Sequence, residues 1–448
     1  MGLKLNVGMV SLGCDKNRVD SEIMLGILSG ERYNIVNNER DADILIVNTC
    51  CFIESAKEES INTILELAEN KKIGKCKALI VSGCLAERYA DDLLSEIPEI
   101  DAVIGTGNYL EIDNVIQAVL KNEERVKRIN NINYNIDFNK NRILTTPQYT
   151  AYVKIAEGCN NNCSYCIIPK LRGNYRSRSI ESILNEIRYL AKNGTKEIIL
   201  VAQDTSKYGI DLYGKRSLSR LIGSISKIDG IQWIRILYCY PEDIDDDLIA
   251  EIKNNDKVCK YLDIPIQHVN NEILKKMRRA SSRKSIAALI EKLRKNIPGI
   301  IIRTSLIVGF PGETEEQFKE LYDFLKEYSI DRVGVFIYSR EEGTEAFYFK
   351  DQIDKKIKVS RQMRLMALQR GILRSLNKQK IGKVYRVLVE DIKDDCMIGR
   401  TYGDAPDIDG LVYVKDNIDN IKKGDFMDVK ITGILDYDLV GVVEHEFS

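Results

Sequence analysis

A chain of 448 residues is longer than one hydrophobic core ordinarily organises, which excludes a single-domain reading and predicts about two to four compact units. Hydrophobic residues make up 44% and charged residues 30%, with no tract long enough to cross a bilayer, so a soluble globular protein is expected and no membrane partner. The formal net charge of -1 neither favours nor excludes nucleic acid, and two histidines, His268 and His445, are too few for most His-based zinc or Ser-His-Asp schemes.

The run Met1-Gly2-Leu3-Lys4-Leu5-Asn6 has no secretory apolar stretch, and Asn6 stands where a myristoylation signal wants Ser or Thr, so no targeting segment and a cytoplasmic location are expected. In residues 1–120, the apolar runs Leu5 to Val10, Ile44 to Val47, Ala78 to Val81 and Ala102 to Ile104 read as strands with helices between them. That alternation predicts a parallel sheet with crossover helices, a doubly wound α/β domain. Residues 121–148 lose the pattern, and seven Asn between positions 122 and 141 mark them as a linker.

The βα rhythm resumes at Tyr149 and fills a unit at 149–375. Its strands are expected at Ala151 to Ala156, Glu197 to Ala202, Gln232 to Leu237, Tyr261 to Ile264, Ile300 to Val308 and Arg332 to Tyr338. These are too few for a closed eight-stranded barrel and predict an open or partial (β/α) barrel with its ligand site at the carboxyl ends of the strands. Residues 355–380 form a helical stretch with nine Lys or Arg and no Asp or Glu. The last unit, 376–448, carries short β-rich runs between Gly and Asp turns (Tyr385 to Val389, Leu411 to Val414, Met427 to Ile434, Leu439 to Val443), which predict a small β-barrel.

The chain has eleven cysteines, an odd count with no export signal, which favours ligation or catalysis over disulfides. Cys159, Cys163 and Cys166 follow the first barrel strand in the run Glu157-Gly158-Cys159-Asn160-Asn161-Asn162-Cys163-Ser164-Tyr165-Cys166. A 4Fe-4S cubane ordinarily takes four cysteines, so three on one loop leave an iron open to an external ligand. The competing readings are a zinc site completed by a distant cysteine, or three unconnected thiols; zinc ribbons usually show paired CxxC knuckles, and no second knuckle is present.

This spacing, on the loop after the first barrel strand, resembles the radical S-adenosylmethionine (SAM) superfamily. The resemblance implies that the open iron chelates SAM, and that one electron from the cluster cleaves it to methionine and a 5'-deoxyadenosyl radical able to abstract hydrogen from an unactivated carbon. It also implies SAM contacts at Tyr165, at Gln203 in Val201-Ala202-Gln203-Asp204, and at Gly309 in Ile307-Val308-Gly309-Phe310-Pro311-Gly312-Glu313. For Gly309 and Gly312 a tight turn is an equal alternative. A reductant such as flavodoxin or ferredoxin would be required.

A second set stands at the strand ends of the first domain: Cys14 in Ser11-Leu12-Gly13-Cys14, Cys50 in Val47-Asn48-Thr49-Cys50, and Cys84 in Val81-Ser82-Gly83-Cys84. Carboxyl ends of neighbouring parallel strands share one edge, so these thiols can meet although tens of residues separate them. Ordinary buried cysteines are the alternative. Cys51 adjoins Cys50, and consecutive side chains diverge, so one of the two is expected to ligate. Cys76, Cys239, Cys259 and Cys396 read as packing or surface residues.

With both sets the whole chain resembles the methylthiotransferase family: an α/β domain with three cluster cysteines, a radical SAM domain and a C-terminal TRAM barrel. The run Asn48-Thr49-Cys50-Cys51-Phe52-Ile53 matches the family pattern and implies Cys50 as the ligand. The implied cofactors are two 4Fe-4S clusters and SAM, with a sulfur donor, and the implied reaction replaces a carbon-bound hydrogen by a methylthio group. One branch modifies an adenosine of tRNA; the other modifies the β-carbon of an aspartate in ribosomal protein S-twelve. Asp15 and Lys16 after Cys14, the run Ile168-Pro169-Lys170-Leu171-Arg172-Gly173-Asn174-Tyr175-Arg176-Ser177-Arg178, and Gln203-Asp204-Thr205-Ser206-Lys207-Tyr208-Gly209 resemble the protein-modifying branch.

Charge bears on the same choice. Residues 378–448 hold ten Lys or Arg against fifteen Asp or Glu, a net of -5. A barrel that tracks phosphates should be basic, whereas an acidic one suits a basic protein partner. The basic stretch at 355–380 is open to two readings, ribosomal RNA contact or a solvated charged face. Lys154, Arg172, Arg176 and Arg303 are candidates to bind a substrate carboxylate, with ordinary ion pairs as the alternative, and His268 is equally balanced between a site role and a structural one. A two-cluster electron carrier is a third reading, disfavoured by incomplete cysteine ligation.

Overall fold

The computed structural model describes residues 4–121, 125–130, 132–134, 136, 142–393, 396–415 and 420–444. His445 and much of the Asn-rich segment lie outside these residues.

Strands β1 (Leu5–Ser11), β2 (Tyr33–Ile35), β3 (Ile44–Thr49), β4 (Ala78–Gly83), β5 (Ala102–Ile104) and β6 (Val126–Arg128) form one sheet in the order β2-β1-β3-β4-β5-β6. Every neighbouring pair is parallel. β3 and β4 are buried at every position, because helices cover both faces of a parallel sheet and no polar face is needed. Two strands were not anticipated. β2 is short, and β6 arises inside the segment expected as a linker, so the first sheet extends beyond residue 120. Strand order reverses between β1 and β3, the place where open α/β sheets leave a crevice at their carboxyl ends.

The central unit begins with β7 (Thr150–Lys154) and a short antiparallel pair, β8 (Ala156–Glu157) with β9 (Arg176–Ser177). β10 (Glu197–Val201), β11 (Trp233–Ile236), β12 (Val258–Asp263), β13 (Ile301–Val308) and β14 (Arg332–Ile337) follow, and the sheet runs β14-β13-β12-β11-β10-β7 with all pairs parallel. β7 and β14 are opposite edges, so this is the open barrel expected. Its outer face (Val153, Ile198, Leu200, Ile234, Leu262) packs on the surrounding helices in one large core. The inner face behaves differently. Tyr152, Ile199, Val201, Trp233 and Tyr261 share a cluster with Val19 and Ile23 of the N-terminal domain and with Leu388 and Ala405 of the C-terminal one. The flanking domains therefore fill the lumen that an open barrel would otherwise expose.

The basic stretch is a helix, Lys355–Lys378, with partners in both the central unit and the C-terminal barrel, where Arg370 Nε donates to the Tyr437 hydroxyl at 2.9 Å. Arg361 Nη1 reaches Glu313 Oε2 at 2.9 Å and Arg364 Nη1 reaches Glu315 Oε1 at 2.6 Å. Beyond it, β15 (Val384–Lys393), β16 (Cys396–Thr401), β17 (Val412–Val414), β18 (Phe426–Leu435) and β19 (Asp438–Val443) close a five-stranded barrel in the order β15-β16-β17-β19-β18 around Val387, Val389, Val412, Val429 and Ile431. β16 was not anticipated. Buried ion pairs dock this barrel on the central one. Arg400 Nη2 lies 2.6 Å from Glu197 Oε2, Arg235 Nε lies 3.0 Å from Glu197 Oε1, and Arg332 pairs with Asp404.

Candidate active site

The loop after β8 carries Cys159, Cys163 and Cys166. Gly158 holds φ at +79° with its α-carbon against the backbone of Asn174, a conformation and a clearance that a side chain would forbid. The reversal is pinned by the Cys159 N–H donating to the Gly173 carbonyl (3.1 Å), the Ser164 N–H to the Met277 carbonyl (3.2 Å) and the Cys166 N–H to the Cys163 carbonyl (3.0 Å). The Asn161 N–H points at Cys159 Sγ (3.4 Å), and the Tyr240 hydroxyl stands 3.9 Å from Cys163 Sγ. Burial pushes the Cys159 thiol up to about 11, and the neighbouring Cys163 adds to the shift. Burial also pushes Cys166 up, with Cys163 and Cys159 acting in the same sense, so the three thiols feel one another.

The second set gathers at the reversal point of the first sheet. Cys14 precedes the helix Asp15–Leu28 after β1, Cys50 follows β3, and Cys84 opens the helix Cys84–Glu96 after β4. Two glycines make the approach possible. A β-carbon on Gly13 (φ +85°) would lie 2.6 Å from Cys50 Cβ, and one on Gly83 (φ +94°) would lie 2.6 Å from the Thr49 carbonyl oxygen. Ser60 fixes the Cys50 turn, accepting from the Cys50 N–H (3.1 Å) and donating to its carbonyl (2.9 Å). Burial pushes the Cys50 thiol up to about 12, with Cys84 and then Cys14 reinforcing it. Cys14 is exposed, so the set opens on one side. Cys51 is fully buried and donates its thiol to the Cys84 carbonyl at 3.1 Å.

Among the described residues no three His, Cys, Asp or Glu side chains are drawn together as a single bound metal ion would draw them. A cubane makes a different demand, since each thiolate binds its own corner iron.

Between the two thiol sets lies a buried polar network that was not anticipated as a unit. Lys154, at the end of β7, pairs with Asp20 of the N-terminal helix and with Glu157 Oε2 (2.5 Å). Arg172, on the short helix Ile168–Arg172 after Cys166, places Nη1 2.6 Å from Asp20 Oδ2 and 3.3 Å from Glu157 Oε2, and its Nη2 donates to Asn17 Oδ1. Asn17 Nδ2 in turn donates to the Leu12 carbonyl (3.1 Å) and the Thr49 carbonyl (2.9 Å), the residues leading into Cys14 and Cys50. Burial disfavours the Glu157 carboxylate, yet Lys154 and Arg172 more than offset it and hold the group down at about 2.

Of the expected SAM contacts, Gln203 Nε2 donates to Glu157 Oε1 (2.6 Å), while Gln203 Oε1 is buried without a partner. Such an orphaned acceptor beside the first thiol set suits a cationic donor such as an ammonium. Tyr165 packs against a cluster of Ile273, Met277, Phe310, Tyr338 and Ala346. Gly309 holds φ at +71° against the Lys358 side chain, so its turn has a structural reason of its own.

Five residues have two readings open, a site role or an ordinary structural pairing. Lys154, Arg172 and Arg303 are already paired with carboxylates of this chain, Arg303 with Asp263 Oδ1 at 2.9 Å, and are not free to take a substrate's. Arg176 donates to Asn133 Oδ1 at 2.9 Å and to the Asn174 carbonyl. His268 is fully buried, its Nε2 3.2 Å from Glu313 Oε1 and its Nδ1 accepting from the Asn270 N–H at 2.9 Å, a structural role.

Three parts of the chain match known families. Residues 6–105 match an uncharacterized protein family, UPF0004, residues 153–325 match the radical SAM superfamily, and residues 381–443 match the TRAM domain. The closed C-terminal barrel is thus a TRAM barrel. Among solved structures, the radical SAM methyltransferase TsrM from Kitasatospora setae, with cobalamin and a [4Fe-4S] cluster bound, shares the fold at a TM-score of 0.58 and 13% identity, covering 77% of this chain and 74% of that one. The ribosomal protein uS12 methylthiotransferase RimO of Clostridium perfringens is 54% identical over 444 residues, 99% of each chain. That of Clostridium botulinum (strain Okra / Type B1) is 54% identical over 445 residues, again 99% of each. Both relatives are named for a protein substrate, which favours that branch over the one acting on tRNA. The chain belongs to the RimO family of ribosomal protein uS12 methylthiotransferases, enzymes of the radical SAM superfamily.

Proposed function

We propose that this chain replaces a hydrogen on the β-carbon of an aspartate in ribosomal protein uS12 by a methylthio group, using SAM and two 4Fe-4S clusters. The carrying observation is the pair of thiol sets, each of three cysteines, at the carboxyl ends of the strands of two sheets and joined by one buried network. The donor sets fit clusters with an open iron. Both are all-thiol, and each lies on loops whose glycines and backbone hydrogen bonds fix the sulfurs.

Cys159, Cys163 and Cys166 would hold the cluster that supplies the electron for SAM cleavage. Gln203, with its unpartnered oxygen, would receive the SAM ammonium; Tyr165 and the turn at Gly309 would bound the cofactor from the apolar side. Cys14, Cys50 and Cys84 would hold the second cluster, with Cys14 on the accessible side. Glu157 stays ionised in its network and fixes the Gln203 amide, so it orients the cofactor side without donating a proton. The reaction requires a reductant such as flavodoxin or ferredoxin and a sulfur donor, and the reading places the enzyme in the cytoplasm with the ribosome. Among the described residues no helix is long and apolar enough to cross a membrane.

The test is anaerobic reconstitution followed by iron and sulfide quantification, assay of 5'-deoxyadenosine, and mass spectrometry of uS12. Cys163→Ala should abolish SAM cleavage and all product. Cys84→Ala should retain SAM cleavage and lose methylthiolation. A Cys84→Ala protein that still methylthiolates uS12, or zinc in place of iron at Cys159, Cys163 and Cys166, would contradict the reading.

A further inference from the structure

Four full charges sit in the wall between the two thiol sets, nearly out of reach of water. The side chains of Lys154, Asp20, Glu157 and Arg172 are 1%, 5%, 1% and 2% exposed. Taking any of them out of water costs several kcal/mol unless its counter-charge is in place, so the four are stable only as a set. Lys154 already satisfies both carboxylates, and a neutral balance inside the sheet-to-barrel junction would be served by simpler pairs. Arg172 is the member that reaches past them. Its second nitrogen leaves the carboxylates and donates to Asn17 Oδ1, which itself stands 3.9 Å from Cys84 Sγ.

The covalent position of Arg172 adds to this. It ends the helix that begins two residues after Cys166, so one short element carries a ligand candidate of the first set and a cation facing the second. Through Asn17 the same guanidinium fixes the carbonyls of Leu12 and Thr49, from which the chain passes to Cys14 and Cys50.

We propose that Arg172 is a positioning residue for the group held by Cys14, Cys50 and Cys84: its fixed positive charge, aimed by Asp20 and Asn17, stabilises the more negative, reduced form of that group and ties its loops to the first thiol set. This rests on the two-cluster reading above. A purely structural arginine would support folding and leave the electronic properties of the bound group alone. A cation fixed in a water-poor wall must raise the group's reduction potential, because one added electron is favoured by nearby positive charge.

The experiment uses the full chain with Cys159→Ala, Cys163→Ala and Cys166→Ala, reconstituted anaerobically with iron and sulfide so that only the N-terminal set can hold a cluster. It is titrated with dithionite and followed by electron paramagnetic resonance. In this background Arg172→Met should shift the midpoint potential downward and change the signal of the reduced cluster. Arg172→Lys, which keeps the charge, should stay near the parent. Asp20→Asn removes a negative charge from the same wall and should shift the potential upward. If Arg172→Met fails to fold, the sign of the Asp20→Asn shift decides, and no shift or a downward one overturns the proposal. A parent that binds iron but whose potential is the same in every variant overturns the role of Arg172 alone. A parent that binds no iron overturns the two-cluster reading and this role with it.

Discussion

At the scale of single residues, the second thiol set depends on two glycines more than on any bond the cysteines make. Gly83 adopts φ +94° and ψ -156°, a region open in practice only to glycine, and its α-hydrogen faces the Asn48 side chain and the Thr49 carbonyl. Gly83→Ala should therefore cost about 1–3 kcal/mol from backbone strain alone, and the added methyl must also push Cys84 away from Cys50. The expected outcome is a lower melting temperature and loss of iron from the N-terminal set, with the set at Cys159, Cys163 and Cys166 still loaded. Iron counted per chain in the reconstituted variant checks this, and full retention would show that the strand ends need not approach so closely. The two groups of three cysteines stand out in the sequence because thiols are rare and their positions, a tight CxxxCxxC and three equivalent strand ends, have few explanations. Their buried partners were not legible. Asp20 and Arg172 are 152 residues apart, and nothing in a helix sequence announces that one of its carboxylates will meet a distant arginine inside the protein.

Among the elements, the junction of the TRAM barrel with the central sheet is an ionic lock at the start of β10 and within β11. Glu197 receives both Arg235 and Arg400, all three fully buried, and Arg400 also reaches Glu390 Oε1 at 2.8 Å. Glu197→Gln leaves the buried Arg235 without its counter-charge and Arg400 with Glu390 alone, and should destabilise the chain by about 3–5 kcal/mol, read as a drop in thermal midpoint. The lock also sets a pH dependence. Burial raises the Glu197 pKa, but Arg400 and Arg235 outweigh it and hold the group down at about 2, below its ordinary value of 4.5. The unfolded chain then binds the proton first, so this stabilisation is complete above pH 4.5 and is lost as pH falls toward 2. Melting curves across that window should slope less for Glu197→Gln than for the parent, and equal slopes would remove Glu197 from the account. The strands themselves divide by physical type. β3, β4, β10 and β13 were legible as bounded apolar runs, whereas β2, with exposed Asn34 at its centre, and β6, Val126-Lys127-Arg128, are short edge strands whose composition resembles a loop.

For the molecule as a whole, charge is distributed unevenly about a near-neutral total. The segment 378–448 has a net charge of -5, while the helix Lys355–Lys378 directs Arg361 and Arg364 toward Glu313 and Glu315 of the central unit and Arg370 onto the Tyr437 hydroxyl of that acidic barrel. The net acidity of the barrel favours a basic partner. Attraction of this kind is screened within about 10 Å at 0.1 M salt, so the KM for uS12 should rise with ionic strength while kcat changes little. A KM indifferent to salt between low and moderate concentration would assign recognition to apolar contacts instead.

The charged wall formed by Lys154, Asp20, Glu157 and Arg172 has a consequence for how such enzymes can be recombined. Its members come from two domains, so neither domain is electrically complete alone. A chimera that sets this N-terminal domain on a foreign radical SAM barrel would strand Asp20 without a cation unless the recipient brings its own lysine and arginine to the same two places. Domain exchange within the family is therefore constrained by a handful of matched charges as well as by the apolar packing shared between the domains.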